Sequence, residues 1–136
     1  MSLPSFVQSV VLFLGDQAAD PTAYKFPVLK TLRKIKIIAV KFGAKSNVAA
    51  ADTNYLQVKL TDGTTTFASI TTGPVAGGDS LTLGQFLSKA PAAAWVSMTG
   101  AEVPAATNLM IEFAKTGMGM AIPGLTIQVD YMESGA

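Results

Sequence analysis

Short apolar stretches with a two-residue period, separated by glycine- and proline-containing turns, constrain the fold of this chain more than any other feature. Leu56, Val58 and Leu60 alternate with Gln57 and Lys59, and similar stretches lie at residues 108–115 and 125–132. Alternation places successive side chains on opposite faces of a β-strand. About eight such strands with little helix predict an all-β fold, an antiparallel β-sandwich in one domain spanning residues 1–136.

The strongest hairpin signal lies at residues 55–72. Asp62-Gly63 separates two strand-like runs, residues 55–61 and 64–72, and this dipeptide is typical of a type I′ turn. The alternating positions of all the predicted strands define a predicted core. It includes Val11, Phe13, Ile35, Ile37, Leu56, Val58, Leu60, Leu109, Ile111, Phe113, Leu125, Ile127 and Val129.

Three further segments are predicted from local signals. Residues 31–42 are expected to form a strand in which Ile35, Ile37 and Ala39 share one apolar face. Pro27 restricts the extended segment around it to a sheet edge or an irregular crossing. Residues 95–99 are expected to form another short strand.

At most one short helix is expected, at residues 83–90. Leu83, Phe86, Leu87 and Ala90 have helical spacing, and Thr82 and Gln85 have the spacing of a capping box, although Gly84 weakens a helix. A strand at residues 81–87 is the alternative.

The chain contains no histidine and no cysteine, the side chains most often used as general bases, nucleophiles and transition-metal ligands. Asp52, Asp62 and Asp79 lack the spacing of a calcium loop. Glu102 and Glu112 could in principle form a glycosidase pair, but nothing else in the sequence indicates a substrate cleft. We therefore expect a protein that is not an enzyme and that has no metal site or cofactor.

Charge is sparse and balanced. Charged residues make up 14% of the chain and the net charge is +1, which favours neither nucleic acid nor a strongly acidic partner. No apolar stretch approaches the roughly 20 residues that span a bilayer. The low charge and the apolar run at residues 6–14 predict surfaces that are buried in a homo-oligomer, with a trimer preferred.

Two regions are candidates for contact with a partner. Arg33, Lys34 and Lys36 could form a basic stripe on one strand, although lysines also protect sheet edges from unwanted pairing. The N-terminal segment can extend to reach a neighbour, because chain termini are generally free to do so. Its candidate contact residues are Ser2, Leu3, Pro4 and Phe6.

The C-terminal third carries a family resemblance. The sequences EVPAATNLMIEF at residues 102–113 and GMGMAIPGLTIQVDY at residues 117–131, together with KFPVLKTLRKIKI at residues 25–37, resemble small β-sandwich proteins of tailed-phage virions. The resemblance implies a jelly-roll-like decoration, cement or fibre-base protein, often trimeric. Its expected partner is the major capsid protein or another virion protein. Its expected location is the particle surface after synthesis in the host cytoplasm.

A carbohydrate-binding or adhesin-type β-sandwich is the alternative function. Such a module needs exposed aromatic side chains on one sheet face. The candidates in this sequence are Tyr24, Tyr55, Phe67 and Trp95.

Overall fold

The computed structural model describes residues 7–19, 25–89 and 101–133. Ser2, Leu3, Pro4 and Phe6, the predicted strand at residues 95–99, and two candidate aromatics, Tyr24 and Trp95, lie outside these ranges. The described residues form nine β-strands and no helix. They are β1 (Gln8–Gln17), β2 (Lys25–Lys30), β3 (Ile35–Gly43), β4 (Tyr55–Thr61), β5 (Thr66–Thr71), β6 (Leu87–Lys89), β7 (Ala101–Val103), β8 (Asn108–Thr116) and β9 (Ile122–Glu133). The predicted all-β fold is confirmed.

The strands form two antiparallel sheets that pack as a sandwich. Sheet A has the order β1-β9-β3, and both β6 and β7 pair with the free side of β3; sheet B has the order β2-β8-β4-β5. The pairing is nested: β1 with β9, β2 with β8, β3 with β6 and β7, and β4 with β5. Strands from the first half of the chain thus pair with strands from the second half.

The core lies between the sheets, on the inward faces of the alternating strands. Eleven of the thirteen predicted core residues are buried: Ile35, Ile37, Leu56, Val58, Leu60, Leu109, Ile111, Phe113, Leu125, Ile127 and Val129. Burying each of these side chains contributes about 1.5–3 kcal/mol relative to exposure. The alternation in the sequence therefore identifies most of the surface on which the sheets meet.

The other two predicted core residues, Val11 and Phe13, are on the opposite face of their strand. Leu12 and Leu14 pack against the core, whereas Phe13 leaves 82% of its surface exposed. Residues 10–14 are all apolar, so the sequence does not mark which face of β1 is buried. Pairing with β9 decides it, because Leu12 lies opposite the buried Ile127.

A bulge in β3 ends the strict alternation that was predicted for this strand. Ile37 and Ala39 pair with consecutive residues of β9, so Ile38 is an additional residue between them. One additional residue moves the side chains that follow to the opposite face. Val40 and Phe42 therefore enter the core, and the prediction that Ala39 shares the apolar face is wrong.

The predicted β4–β5 hairpin is present, but its turn is wider than a two-residue type I′ turn. The strands end at Thr61 and resume at Thr66, and only Gly63 of the turn pair has a positive φ. The Asp62 carboxylate accepts hydrogen bonds from the backbone N–H groups of Thr64 and Thr65, at 2.8 and 2.6 Å. This side chain closes the turn in place of the second left-handed residue.

The helix predicted at residues 83–90 is absent from residues 83–89, and its last residue lies outside the described ranges. Gly84 has a left-handed φ of 76°, which interrupts a helix, and Asn47 Oδ1 accepts the Leu83 N–H at 2.7 Å. Residues 87–89 instead pair with β3. The alternative strand at residues 81–87 is also wrong for most of its length, since only its two ends are paired: Leu81 forms a bridge with Val48, and Leu87 belongs to β6.

Candidate assembly surface

The outward face of β1 is an exposed apolar surface. Val7, Val11 and Phe13 lie two or four residues apart, and their exposed fractions are 60%, 45% and 82%. They share a face because side chains on a strand alternate, while Leu12 and Leu14 fill the inward positions. Adjacent exposed apolar residues on one strand are characteristic of a contact surface.

β2, the corresponding edge of sheet B, is protected against pairing with another strand. Lys25 and Lys30 are exposed at its two ends, and Pro27 between them has no N–H to donate. Its pairing with β8 also shifts register between Pro27 and Leu29. Lysine, proline and a bulge are all common means of protecting a sheet edge.

The remaining edges are shorter than β1, and β5 is covered at its last residue. Asp79 exchanges two hydrogen bonds with the backbone of Thr71 at the end of β5, and its carboxylate lies 2.6 Å from Lys89 Nζ of β6. β6 and β7 have three residues each. β1, with ten residues, no charge before Asp16 and register shifts only after Phe13, is therefore the longest uncharged edge among the strands that the structure describes.

The outer face of sheet A continues from β1 in rows of side chains that cross β9 and β3. Phe13 pairs with Thr126 of β9, which pairs with Gly43 of β3, so these three residues form one row across the sheet. The next row on this face runs from Val11 through Gln128 to Lys41. The apolar residues of β1 thus border one row of small neutral residues and one row that contains a charged lysine.

A polar network joins β1 to the middle of this face. The carboxylate of Asp130, which is 7% exposed, accepts hydrogen bonds from Ser9 Oγ at 2.6 Å and Gln128 Nε2 at 2.8 Å, and lies 2.8 Å from Lys41 Nζ. Desolvation raises the pKa of Asp130, but the hydrogen bonds from Gln128, Lys41 and Ser9 and the Lys41 charge outweigh it. The pKa is therefore lowered and the carboxylate stays ionised.

An open cleft lies at the far end of the same outer face. It has a volume of about 250 Å³ and is lined by Gly43, Ala44, Lys45, Gly84, Gln85, Phe86, Gly124 and Thr126. Phe86 is half exposed and its ring lies against Gly43, where a Cβ atom would approach the ring to 3.2 Å. Glycine at this position keeps the aromatic wall in contact with the sheet.

An ion pair lies at the rim of this cleft. Lys45 Nζ is 3.0 Å from Asp16 Oδ1, and that oxygen also accepts the N–H of Gly124 at 2.8 Å. The hydrogen bond from Lys45, the Gly124 N–H and the Lys45 charge lower the pKa of Asp16 despite a small opposing effect of desolvation. Because both side chains are mostly exposed, this pair contributes more to local geometry than to stability.

A larger cleft, of about 430 Å³, lies on sheet B along β2 and β8. Its lining includes Lys25, Pro27, Lys30 and Met110. Two lysines at its margin and a proline on its edge strand make it more polar at the rim than the β1 surface. It lies on the other sheet, away from Phe13, and does not extend the exposed apolar face.

The predicted basic stripe is divided between a loop and a strand. β3 begins at Ile35, so Lys34 precedes the strand, and only Lys36 lies within it. Arg33 is in the same loop, 3.6 Å from Glu133, and both side chains are more than half exposed. The adjacent Leu32 is 92% exposed. The loop thus combines basic side chains with one protruding apolar side chain.

The three aspartates that lack the spacing of a calcium loop each have a separate structural contact. Asp62 closes the β4–β5 turn, Asp79 binds the end of β5, and Asp52 accepts the Val75 N–H at 2.9 Å. No group of three potential acidic ligands occurs in the described parts of the chain. Glu102 pairs with sheet A and Glu112 with sheet B, so the two glutamates belong to different sheets.

The two aromatic residues proposed for glycan stacking that lie in the described ranges do not form an exposed platform. Phe67 is fully buried and Tyr55 is partly buried. The exposed aromatics in the described ranges are instead Phe13 and Phe86. The sequence predicts Phe86 to lie in a helix, and its contact with Gly43 of β3 has no local signal in the sequence.

Comparison with known protein families, curated proteins and solved structures finds no match to this chain. Within the described ranges, no helix is long and apolar enough to cross a membrane.

Proposed function

We propose that this protein is a non-enzymatic structural subunit that assembles with copies of itself on the surface of a phage particle. The observation that carries the proposal is the uncharged, exposed outer face of β1 beside edges that are short, covered or charged. The virion location rests on the resemblance of residues 102–113 and 117–131 to virion β-sandwich proteins. The nested pairing of the strands is consistent with the jelly roll that this resemblance implies.

The exposed residues of β1 supply a driving force of useful size. Removing a large apolar side chain from water contributes about 1.5–3 kcal/mol. Val11 and Phe13 lie on the same face, and their strand carries no charge before Asp16 that a second copy would have to desolvate. Association through this surface therefore avoids the main electrostatic penalty of burying a protein edge.

A structural role also agrees with how the acidic side chains are used. Asp130 bridges three strands, and Asp79 covers the end of β5, so each of these carboxylates stabilises the fold. A shell presents the same binding site many times. A small subunit can reinforce the shell by bridging neighbouring sites, without catalysing a reaction. A trimer binds such a shell more tightly than a monomer does, since its second and third contacts with the shell are intramolecular.

The loop at residues 32–34 is a second contact candidate, for the major capsid protein or another virion protein. Leu32 protrudes between residues of positive charge, and the 3.6 Å pair of Arg33 with Glu133 is weak because both side chains are solvated. An acidic surface with a small apolar depression would complement this loop. The N-terminal residues Ser2, Leu3, Pro4 and Phe6 remain a proposed contact for the same partner.

The self-association can be tested by light scattering with matched variants. We expect the wild-type chain to have three times its 14.1 kDa mass at micromolar concentration, and Val11→Lys to reduce association at least tenfold. Val75→Lys is the control, because Val75 is similarly exposed but lies in a loop away from β1. A wild-type mass of 14.1 kDa throughout the concentration range would refute the proposal.

The virion location needs a separate measurement. Electron cryomicroscopy of intact particles should show density that matches this β-sandwich on the shell or tail, in contact with a neighbouring virion protein. The triple variant Leu32→Ser/Arg33→Ser/Lys34→Ser should lower occupancy of that density while leaving the oligomer intact. Particles that contain no copy of the chain would contradict the location.

A further inference from the structure

The cleft beside Phe86 combines an aromatic wall with a floor that is mostly backbone. Gly43 and Thr126 pair across β3 and β9 and form this floor, and Gly84 and Gly124 add further backbone to the lining. The Phe86 ring is half exposed and lies against Gly43. A flat ligand can therefore lie on the backbone of the sheet and stack on one aromatic ring.

The rim of the same cleft carries two opposite charges that cancel. Lys45 Nζ lies 3.0 Å from Asp16 Oδ1 and 3.4 Å from Asp16 Oδ2, and both side chains are more than 60% exposed. An ammonium has three donors and a carboxylate has about four acceptor sites, so one ion pair leaves hydrogen-bonding capacity on both groups. The rim thus presents donors and acceptors side by side without a net charge.

The backbone around Gly124 fixes the position of this ion pair. Asp16 Oδ1 accepts the Gly124 N–H at 2.8 Å, and the Lys45 N–H donates to the Pro123 carbonyl at 2.9 Å. The Lys45 side chain lies directly over Gly124, where a Cβ atom would approach its Cγ atom to 2.8 Å. Both charged groups are therefore in place before a ligand arrives, which lowers the entropy cost of binding.

These features together select the chemistry of the ligand. A charged ligand gains little, because Lys45 and Asp16 already neutralise each other. An apolar aromatic group can stack on Phe86, but it desolvates the ion pair without giving it new hydrogen bonds. A pyranose ring has a C–H face for the aromatic wall and hydroxyl groups at its edge that both donate and accept. Of these ligands, only the sugar matches both the wall and the rim.

We infer that the Phe86 cleft binds one neutral pyranose ring of a saccharide, with the C–H face on Phe86 and neighbouring hydroxyl groups on Lys45 and Asp16. The cleft volume of about 250 Å³ suits a single ring. It exceeds the roughly 150 Å³ that holds benzene and lies below the roughly 300 Å³ of pockets for larger ligands. The cleft is open, so the rest of the saccharide extends into solvent.

This sugar site goes beyond the proposed self-association and does not depend on it. A single shallow site binds weakly, because it buries little of the ligand. On the particle surface that we propose, many copies of the site engage many sugar rings, and the later contacts are intramolecular. The subunit then adds attachment to a saccharide surface to its structural role.

Nuclear magnetic resonance titration of the isotope-labelled chain tests the site. The probes are the methyl glycosides of glucose, galactose, mannose, N-acetylglucosamine and rhamnose, each at millimolar concentration. We expect at least one of them to shift the amide signals of residues 43–45, 84–86 and 124–126 and to leave those of β2 and β8 in place. Failure of all five sugars to shift the cleft signals, or a response confined to other residues, would overturn the inference.

Variants of Phe86 test the aromatic wall with the sugar that binds best. Phe86→Ala should weaken binding at least tenfold, whereas Phe86→Tyr keeps the ring and should stay within about twofold of wild type. Leu83→Ala is the matched control, because Leu83 is exposed on the same loop but does not line the cleft. Circular dichroism should show the same β-sheet spectrum in all three variants. Unchanged binding by Phe86→Ala would contradict the stacking.

Variants of Asp16 test the polar rim. Asp16→Ala should weaken sugar binding at least fivefold, while Glu133→Ala removes another exposed, ion-paired carboxylate and should have no effect. Phenol is the competing probe, since it has an aromatic ring but no neighbouring hydroxyl groups. If phenol binds more tightly than all five sugars and Asp16→Ala does not weaken it, the cleft is a site for an aromatic group and not for a sugar.

The outcomes for the sugar site and for self-association are distinguishable. A wild-type chain that is monomeric at all concentrations and binds a sugar at the cleft refutes the self-association alone. A wild-type trimer that binds none of the five sugars refutes the sugar site alone.

Discussion

β1 is an edge strand of sheet A and β2 is an edge strand of sheet B. The two strands differ in the polarity of the side chains that they expose to solvent. β2 presents Lys25 and Lys30 with Pro27 between them, whereas β1 is uncharged before Asp16 and exposes Phe13. The fold protects one edge against pairing and leaves the other apolar. A protein that needed only to remain monomeric would benefit from protecting both. This difference agrees with the proposal that a second copy of the chain covers β1.

The two strands also differ in how they are attached to their sheets. The half-buried ring of Phe26 in β2 packs edge to face against Phe113, with centroids 5.7 Å apart and planes at 87°. β1 adds a polar attachment on the outer face, from Ser9 to the buried Asp130. In the assembly that we propose, this attachment restricts the motion of β1 and so lowers the entropy cost of association.

Breaking the polar attachment of β1 should have the largest effect on stability. Asp130→Ala removes the acceptor of Ser9 and Gln128 and leaves the partly buried Lys41 without its counter-ion. We expect the free energy of unfolding to fall by about 2–3 kcal/mol, measured by urea denaturation. Glu133→Ala removes an exposed carboxylate and should change it by less than about 0.5 kcal/mol. Equal effects of the two variants would contradict the importance of the network.

Removing the protection of β2 should make the two edges alike. Pro27→Val/Lys30→Thr restores an N–H and removes a charge, so β2 becomes available for pairing. We expect roughly tenfold stronger association beyond the wild-type oligomer in sedimentation velocity, which corresponds to about 1.4 kcal/mol. Lys59→Thr is the control, because β4 is a central strand. Unchanged sedimentation of the edge variant would show that other features keep β2 unpaired.

Acid should loosen β1 through Asp130. The pKa of Asp130 is lowered in the folded protein, so its ionised form adds stability above the ordinary value of 3.8. That stability is lost as the pH falls through the lower folded pKa. Asp130→Asn should therefore be less stable than wild type near neutral pH, and the difference should shrink below pH 3.8 in acid titrations followed by denaturation. A constant difference across this range would contradict the assignment.

The smallest expected effect is that of Phe13→Ser on the folding of the isolated subunit. Because the ring is 82% exposed, its removal should change the unfolding free energy by less than about 0.5 kcal/mol under conditions where the chain is monomeric. Leu12→Ser, one residue away and facing inward, should destabilise it clearly more. Comparable losses from both variants would mean that the two faces of β1 are wrongly assigned.

The sequence predicts most strands and most of the core, for a local reason. In β4, β8 and β9 every second residue is apolar and its neighbours are mostly polar, so the alternation predicts which face of each strand is buried. The β4–β5 hairpin is signalled by Asp62-Gly63 in the same way. The candidate site could be predicted only in part from the sequence. The low charge predicted an exposed apolar surface at β1, but it did not predict that Phe13 lies on the outer face of this strand.

What the sequence by itself determined is therefore the all-β class, the central strands and the sparsely charged N-terminal stretch. Only the tertiary structure decided the faces of β1, the bulge at Ile38 and the position of Phe86 beside Gly43. These features depend on hydrogen-bonded register between strands that are distant in the chain. Where neighbouring residues are all apolar, or where one additional residue shifts the alternation, local pattern cannot specify a face, and pairing with the partner strand does so.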